Sequence, residues 1–453
     1  MNIKTPPPVV VNPFATLTQN YPDQLEDYLE FYSPVDKKGR YLPYDELRHR
    51  MASGLDHQLV WSLTRLSRTK QQATLIELGE PATPYGYLLT PLIQQAISAV
   101  DRHTTTASLE WISSKIDEKL QFEYLLNDLI EDESISSSQL EGAATTTQVA
   151  KELIKRNRKP RSEDERMIVG NYKMMLHAWE MRDQPLSLDL ITELHKMGVE
   201  GIDDDAYAPG CFRQSNTVHV VNADGAIVHT PPSCENLASR LQHILDWANV
   251  NHDAVESTVY IHPLIKAIVL HFCIGYEHPF KDGNGRVARA LFYWFMFKKD
   301  FSTFRYIAIS VLLKKAPVKY GKSYLHTETD KMDLTYFIEY QAGIIIRAIE
   351  KFKDAYKSAA VDIDQFNLWL VESGLHIKLT DNQKAILQAA KIGTATEFTI
   401  RYVEKLLDCS YNTAAVVLNG LVDLKLFKKV KEGREWVYVM ENADKIIEYF
   451  VDL

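Results

Sequence analysis

The run His278-Pro279-Phe280-Lys281-Asp282-Gly283-Asn284-Gly285-Arg286-Val287-Ala288-Arg289 decides how the rest of the chain is read. Before it, Tyr260 to Tyr276 carries Ile261, Leu264, Ile265, Ile268, Val269 and Phe272 at helical spacing, and Pro279 stops that helix so that His278 stands at a loop mouth. After it, helical periodicity resumes from Arg286 to Phe297 through Leu291, Trp294 and Phe295, which sets Gly283-Asn284-Gly285 at a helix start. The first amides of a helix lack intrahelical acceptors and sit at the positive end of the macrodipole, and glycines let the backbone close around an anion. The spacing therefore predicts a phosphate cradle.

The side chains of the run fit the same ligand. Arg286 and Arg289, three apart on one helical face, present two guanidinium forks to successive phosphates of a polyphosphate. Asp282 offers a hard oxygen ligand suited to Mg²⁺ shared with phosphate oxygens. His278 is the one side chain of the run that titrates near neutrality, hence the natural base for a hydroxyl nucleophile. Phe280 is the apolar member, expected to point into the core. Singly, a His-Pro, a Gly-Asn-Gly and an arginine pair are ordinary structure. Gathered into one run, they point to chemistry.

The run resembles the motif of the Fic family, His-x-Phe-x-(Asp/Glu)-Gly-Asn-Gly-Arg-x-x-Arg, at every fixed position. The resemblance implies a mainly α chain with a helical core that binds ATP and moves AMP onto a Ser, Thr or Tyr hydroxyl of a target protein, releasing diphosphate. By position, His278 is then the base and Asp282 the Mg²⁺ ligand. Gly283, Asn284 and Gly285 form the α/β-phosphate cradle, and Arg286 and Arg289 hold the β- and γ-phosphates. Tyr320 and Tyr324 fall where the family places aromatic residues near the adenine.

A second stretch, Glu133-Ser134-Ile135-Ser136-Ser137-Ser138-Gln139-Leu140-Glu141-Gly142, puts Ser137 and Glu141 on one helical face, with Gly142 suited to end the helix. It resembles the family's inhibitory helix, (Ser/Thr)-x-x-x-Glu-(Gly/Asn), placed N-terminal to the core. Glu141 paired with Arg289 would occupy the fork that the γ-phosphate needs, leaving ATP weakly held or its α-phosphate misaligned. The same carboxylate could instead orient a water that removes AMP, and the sequence leaves both roles open.

A net charge of −9 argues against general nucleic-acid or anionic-membrane binding by the whole surface, and 45% hydrophobic with 25% charged residues describes a soluble globular protein. Cys211, Cys234, Cys273 and Cys409 lie far apart without a Cys-x-x-Cys pair, which supports neither a disulfide framework nor a zinc site. The proline-rich start lacks the charged-then-apolar order of a signal peptide, and His262, Lys266 and His271 interrupt the apolar 260–276 segment, so the expected compartment is the cytoplasm, with no membrane contact.

In chain order, residues 1–45, with Pro6-Pro7-Pro8, Pro13, Pro34 and Pro43, read as an extended arm. Residues 46–165 read as a helical region ending in the inhibitory helix, including a helix over Leu109 to Ile130, and the basic run Lys151 to Arg161 as a solvated connector. The core spans 166–345. In it His195 reads as a core histidine rather than a second base. Val218-His219-Val220-Val221, Asn222-Ala223-Asp224-Gly225 and Ala226-Ile227-Val228-His229 read as a β-hairpin. The resemblance makes that hairpin a flap whose Val218, His219 and Val220 dock the target's backbone as an added strand. Gly321-Lys322-Ser323 imitates the end of a P-loop, but Ala316 stands where its first glycine belongs.

A linking helix over 346–375 leads to 376–453, which resembles a winged helix-turn-helix with a wing at Leu426 to Val430 and Trp436 to Met440. Lysines and arginines there number 11 and acidic residues also 11, so basic charge gathers only at the wing, whereas DNA binding usually needs a broader footprint. A role of this domain in target selection or dimerisation is weighed ahead of DNA contact. The alternatives to an autoinhibited protein adenylyltransferase are a DNA-binding regulator with a nucleotide-sensing core and a de-AMPylating enzyme. Self-AMPylation and homodimerisation stay open.

Overall fold

The computed structural model describes residues 3–79, 81–114, 131–155, 158–202, 207–222, 224–392, 395, 397–432 and 435–441. Residues 115–130 of the helix expected over Leu109 to Ile130, Arg156 of the basic run, Ala223 of the hairpin turn, Gly433 and Arg434 of the wing turn, and 442–453 lie outside them. The chain is mainly helical and divides into two units. Among the described residues no helix is long and apolar enough to cross a membrane.

The first unit takes in Met1–Thr106, Asp132–Ala150 and Pro160–Ile349. Its opening residues correct the expected extended arm of 1–45. Asn12 caps a helix over Pro13–Asn20, with the proline at its first position, and a shorter helix follows over Leu25–Leu29. These turns form because Leu17 and Tyr28 have an apolar surface to fill, made by Leu55 and by Leu59, Val60 and Leu63 of α1, His57–Thr69. Farther along α1, Arg68 is fully buried and donates to the Pro34 carbonyl (3.0 Å), the Tyr336 hydroxyl (2.7 Å) and the Leu42 carbonyl (2.9 Å). The region 46–165 is not wholly helical either. Ala73–Leu78 (β1) and Thr83–Tyr87 (β2) pair as an antiparallel hairpin whose Leu75, Ile76, Leu78 and Tyr85 are buried.

A helical segment over 131–140, α2, buries Ser134, Ile135, Ser137 and Ser138. It is held to α3, Glu163–Glu180, by Asn171 Nδ2 donating to the Ser134 carbonyl (2.8 Å) and Ser138 Oγ donating to that of Met167 (3.2 Å). α4, Leu188–Val199, crosses α3 closely. A Cβ on Gly170 would stand 2.8 Å from the carbonyl oxygens of Met197 and Gly198.

The hairpin strands β3, Val220–Val221, and β4, Ile227–His229, come next, followed by α5, Leu237–Asn249. The centre is a pair of almost wholly buried helices, α6 over Pro263–Glu277 and α7 over Asn284–Lys298. Pro263 sits at the first position of α6, and the His262 ring accepts from the Leu264 amide (3.1 Å) as its cap. Phe272, Trp294, Phe295 and Met296 are among the side chains with no more than 1% exposure, so burial on all sides fixes both rods and the turn between them. α8, Pro317–Thr329, and the start of α9, Thr335–Glu372, complete this unit.

The second unit takes in Ala107–Glu131, Lys151–Lys159 and Glu350–Leu453. Its core joins Phe366 and Leu370 of α9, Ile386 and Leu387 of α10 (Asp381–Ile392), Val403 of α11 (Ile400–Leu406) and Val417, Leu418 and Leu421 of α12 (Tyr411–Asp423). Three strands, β5 Glu397–Phe398, β6 Phe427–Glu432 and β7 Glu435–Met440, form an antiparallel sheet in the order β5-β7-β6.

Candidate active site

The turn between α6 and α7 is built by side chains that bind backbone. α6 ends at His278, whose φ of 47° lies in the left-handed region that residues with a Cβ avoid. Arg213 holds it there. Its Nε donates to the His278 carbonyl (2.9 Å), Nη2 to those of Glu277 (3.3 Å) and Pro232, and its amide to that of Pro279 (2.8 Å). Asn284 closes the loop from the other end, its side chain accepting from the Phe280 amide (2.8 Å) and donating to the Phe280 carbonyl (2.9 Å). The Asn284 side chain is thus engaged with the Phe280 backbone, and its own backbone amide lies in the first turn of α7.

Phe280 is fully buried and stacks on His195 with ring centroids 3.7 Å apart. His195 donates from Nε2 to the Asp282 carbonyl (3.0 Å) and accepts from the Gly210 amide at Nδ1 (3.0 Å). Both ring nitrogens are committed to the loop, and burial lowers the group to a pKa of about 4.

His278 differs. Its Nδ1 must donate to the Gly275 carbonyl at 3.0 Å, since a carbonyl only accepts, which leaves the neutral ring with its lone pair on Nε2. Burial drops its pKa to about 4, with the nearby charge of His229 acting in the same sense. The ring is therefore an unprotonated base at neutral pH.

α7 starts at Gly283, whose φ of 82° suits glycine, and its first turn faces two arginines with 1% exposure each. Arg286 Nη1 donates to the Gly198 carbonyl (2.7 Å), while its Nε and Nη2 are buried with no acceptor among the described residues. Arg289 donates from Nε to Ser137 Oγ (2.8 Å) and from Nη2 to the Ser137 carbonyl (3.1 Å) and Glu141 Oε1 (2.7 Å); its Nη1 is buried and has no acceptor among the described residues. Ser137 and Glu141 thus meet one guanidinium from one face of α2, and Gly142, at φ 104°, ends that helix. A Cβ on Gly285 would collide with the Glu141 carboxylate, so the acid lies directly on the first turn of α7. Burial would raise the Glu141 pKa, but Arg289, then Arg286 and His278, hold it below the ordinary value.

Three nitrogens of two buried cations have no acceptor among the described residues, and leaving such groups unsatisfied costs about 1–3 kcal/mol or more each, so the residues fit an anion there. Asp282 is solvent-accessible beside this site and accepts from the Gly283 amide. Among the described residues no cluster of three His, Cys, Asp or Glu could hold a metal, so Asp282 fits Mg²⁺ only as a single protein ligand beside phosphate oxygens.

Tyr320 and Tyr324 of α8 stand next to α6. The Tyr320 hydroxyl bonds His271 Nε2 (2.8 Å), and burial lowers that imidazole to a pKa of about 3. The Tyr324 ring stacks on Phe272 (centroids 5.1 Å), with its hydroxyl so close to α6 that only a glycine fits at Gly275. The hairpin is shorter than read. Pairing joins Val220 to His229 and Val221 to Ile227, so Val218 and His219 precede the paired part. Asn222 makes the turn, its side chain accepting from the Asp224 (3.0 Å) and Ala226 (2.9 Å) amides. Val221 and Ile227 are 55% and 58% exposed. Arg213 and His229 carry the geometry yet escape sequence reasoning, for no spacing pattern announces a side chain whose partners are distant carbonyls.

Comparison with known proteins meets the same stretch. The Fic/DOC family profile matches residues 185–296. Protein adenylyltransferase fic-1 of Caenorhabditis elegans is 32% identical over 134 residues, covering 30% of this chain and 24% of its own length. Protein adenylyltransferase Fic of Drosophila virilis is 33% identical over 106 residues, covering 23% and 19%. The chain thus spans about a quarter or less of the length of these two curated relatives. Among solved structures, a Fic family protein from Desulfovibrio desulfuricans G20 aligns with a TM-score of 0.46 at 17% identity, covering 79% of this chain and 98% of that one. Fic-1 (aa134 - 508) from C. elegans aligns at 0.44 and 20% identity, covering 58% and 71%. Through the segment that runs from α4 past the flap to α7, this chain carries a domain of the Fic/DOC family.

Proposed function

We propose that the protein transfers AMP from ATP to a hydroxyl side chain of a target protein, and that Glu141 restrains it. The observation that carries this reading is the half-filled anion site. Glu141 already neutralises one edge of Arg289, while Arg286 Nε and Nη2 and Arg289 Nη1 await oxygen atoms beside the amide-rich start of α7. A triphosphate supplies several anionic oxygens to such a set of donors, and the relatives' names support adenylyl transfer.

In this reading the amides at Gly283, Asn284 and Gly285 receive the α/β-phosphates, and the two guanidinium groups the outer ones. Tyr320 and Tyr324 flank the base. His278 Nε2 takes the proton of the target hydroxyl as its oxygen bonds the α-phosphorus, and the bond from that phosphorus to the oxygen bridging to the β-phosphate breaks, releasing diphosphate. Asp282 would hold Mg²⁺, which when bound neutralises charge on the phosphates. Val218, His219 and Val220 would present the target along the flap edge. Displacing Glu141 is the step that admits the γ-phosphate.

For the second unit we propose a winged helix used to select targets. Lys429 and Lys431 lie 5.0 and 5.7 Å from the Trp436 ring, but the exposed side of α12 carries no cation, which speaks against a DNA footprint. Incubation with α-labelled ATP and cell lysate tests the main reading. Label is expected from the wild type, more from Glu141→Gly and none from His278→Ala. Label that persists in His278→Ala contradicts the mechanism.

A further inference from the structure

Two side chains, Arg213 and His229, tie the flap to the end of α6. That end presents the carbonyl oxygens of Tyr276, Glu277 and His278 at the negative pole of the helix. Arg213, on the limb entering the flap, takes those of Glu277 (3.3 Å) and His278 (2.9 Å). His229, the last residue of β4, takes the Tyr276 carbonyl with Nε2 at 2.8 Å and the Glu328 carboxylate of α8 with Nδ1 at 2.9 Å. A carbonyl and a carboxylate both accept, so the two bonds form together only when both ring nitrogens carry protons.

We infer that His229 is a positioning residue: an imidazolium that pins the flap onto α6 and α8, and so makes presentation of a hydroxyl to His278 depend on the protonation of a second histidine. This rests on the transferase reading and specifies its regulation.

The surroundings agree. Facing His229 are Glu328 on α8 and, on α6, Tyr276, His278 and Glu277, the last already paired with Arg240 of α5 at 3.0 Å. On the flap itself, the His219 ring meets Thr230 Oγ1 at 3.4 Å. Burial would lower the His229 pKa, but Glu328 and then the Tyr276 carbonyl raise it above the ordinary 6.5. A raised histidine contributes fully below its unfolded pKa, and the contribution is lost as pH rises through the folded one. The pin therefore sets an alkaline limb on activity, whereas His278, near 4, sets only an acid limb.

The test uses the full chain with Glu141→Gly, labelled with ¹⁵N-histidine. Long-range ¹H–¹⁵N spectra follow both ring nitrogens of His229 from about pH 5.5 to 9, alongside AMP transfer from α-labelled ATP over the same range. Both nitrogens should be protonated at neutral pH, and transfer should fall with the midpoint of the ring. Glu328→Gln should move both midpoints to lower pH. His229→Gln should erase the alkaline limb and raise the KM for target on the order of tenfold, while that for ATP stays within about twofold. A neutral His229 ring at neutral pH, or an alkaline limb unmoved by either substitution, overturns the pin. Absence of transfer in every variant instead removes the transferase reading, and the ring spectra still decide whether the imidazolium exists.

Discussion

Two pairs of arginines are buried in the first unit, and they are buried differently. Arg65 meets Asp330 at 3.2 Å and Asp333 at 2.9 Å, and Arg68 meets two carbonyls and a tyrosine hydroxyl with the Tyr41 ring 3.8 Å beneath it. No buried nitrogen of that pair lacks an acceptor among the described residues. Arg286 and Arg289 are buried as deeply as Arg68 and leave three nitrogens without an acceptor among the described residues. Saturation marks the first pair as structure that holds the N-terminal segment to α9. The deficit in the second is a cost that, in the proposed reading, an incoming anion offsets.

Substitutions sharpen the contrast. The largest effect is expected at the saturated pair, where Arg65→Met strands Asp330 and Asp333 and should cost about 3–5 kcal/mol of stability, read by denaturant unfolding. Transfer per folded molecule should hardly change. Arg286→Met should do the reverse, lowering transfer in the Glu141→Gly protein on the order of a hundred- to a thousandfold with little change in the unfolding midpoint. Equal stability losses at the two sites would erase the distinction. Glu141→Gly should raise transfer by on the order of ten- to a hundredfold, the scale of a coupling of about 1–3 kcal/mol, as read by intact mass after incubation with ATP and Mg²⁺.

The smallest effect concerns pH. A carboxylate whose folded pKa is depressed contributes above its unfolded value of 4.5, and that contribution is lost as pH falls through the folded one. Restraint by Glu141 should thus be constant from about pH 8 down to 5.5. The ratio of transfer by Glu141→Gly to transfer by wild type checks it, and should not drift over that range.

The turn was legible because local rules agree there: unbroken apolar periodicity on both sides, Pro279 to stop α6, and Gly283 to start α7. Ser137 and Glu141 could be placed on one face by their four-residue spacing, and the pairing of Glu141 with Arg289, 148 residues beyond, was expected only through the resemblance. His229 reaches acceptors 47 and 99 residues away, and no local pattern encodes that. The missed elements failed for another reason. Asn12-Pro13 was lost among prolines that read as extended chain, and β1 and β2 lay in a stretch dominated by helical patterns, where tertiary burial of Leu75, Ile76 and Tyr85 decides the outcome.

Calorimetric titration with ATP and Mg²⁺ tests most directly whether Glu141 stands in a place kept for the nucleotide. Glu141→Gly should bind ATP on the order of tenfold more tightly than wild type, and that gain should vanish when Arg289→Met is added. Equal ATP affinity in wild type and Glu141→Gly would contradict the account.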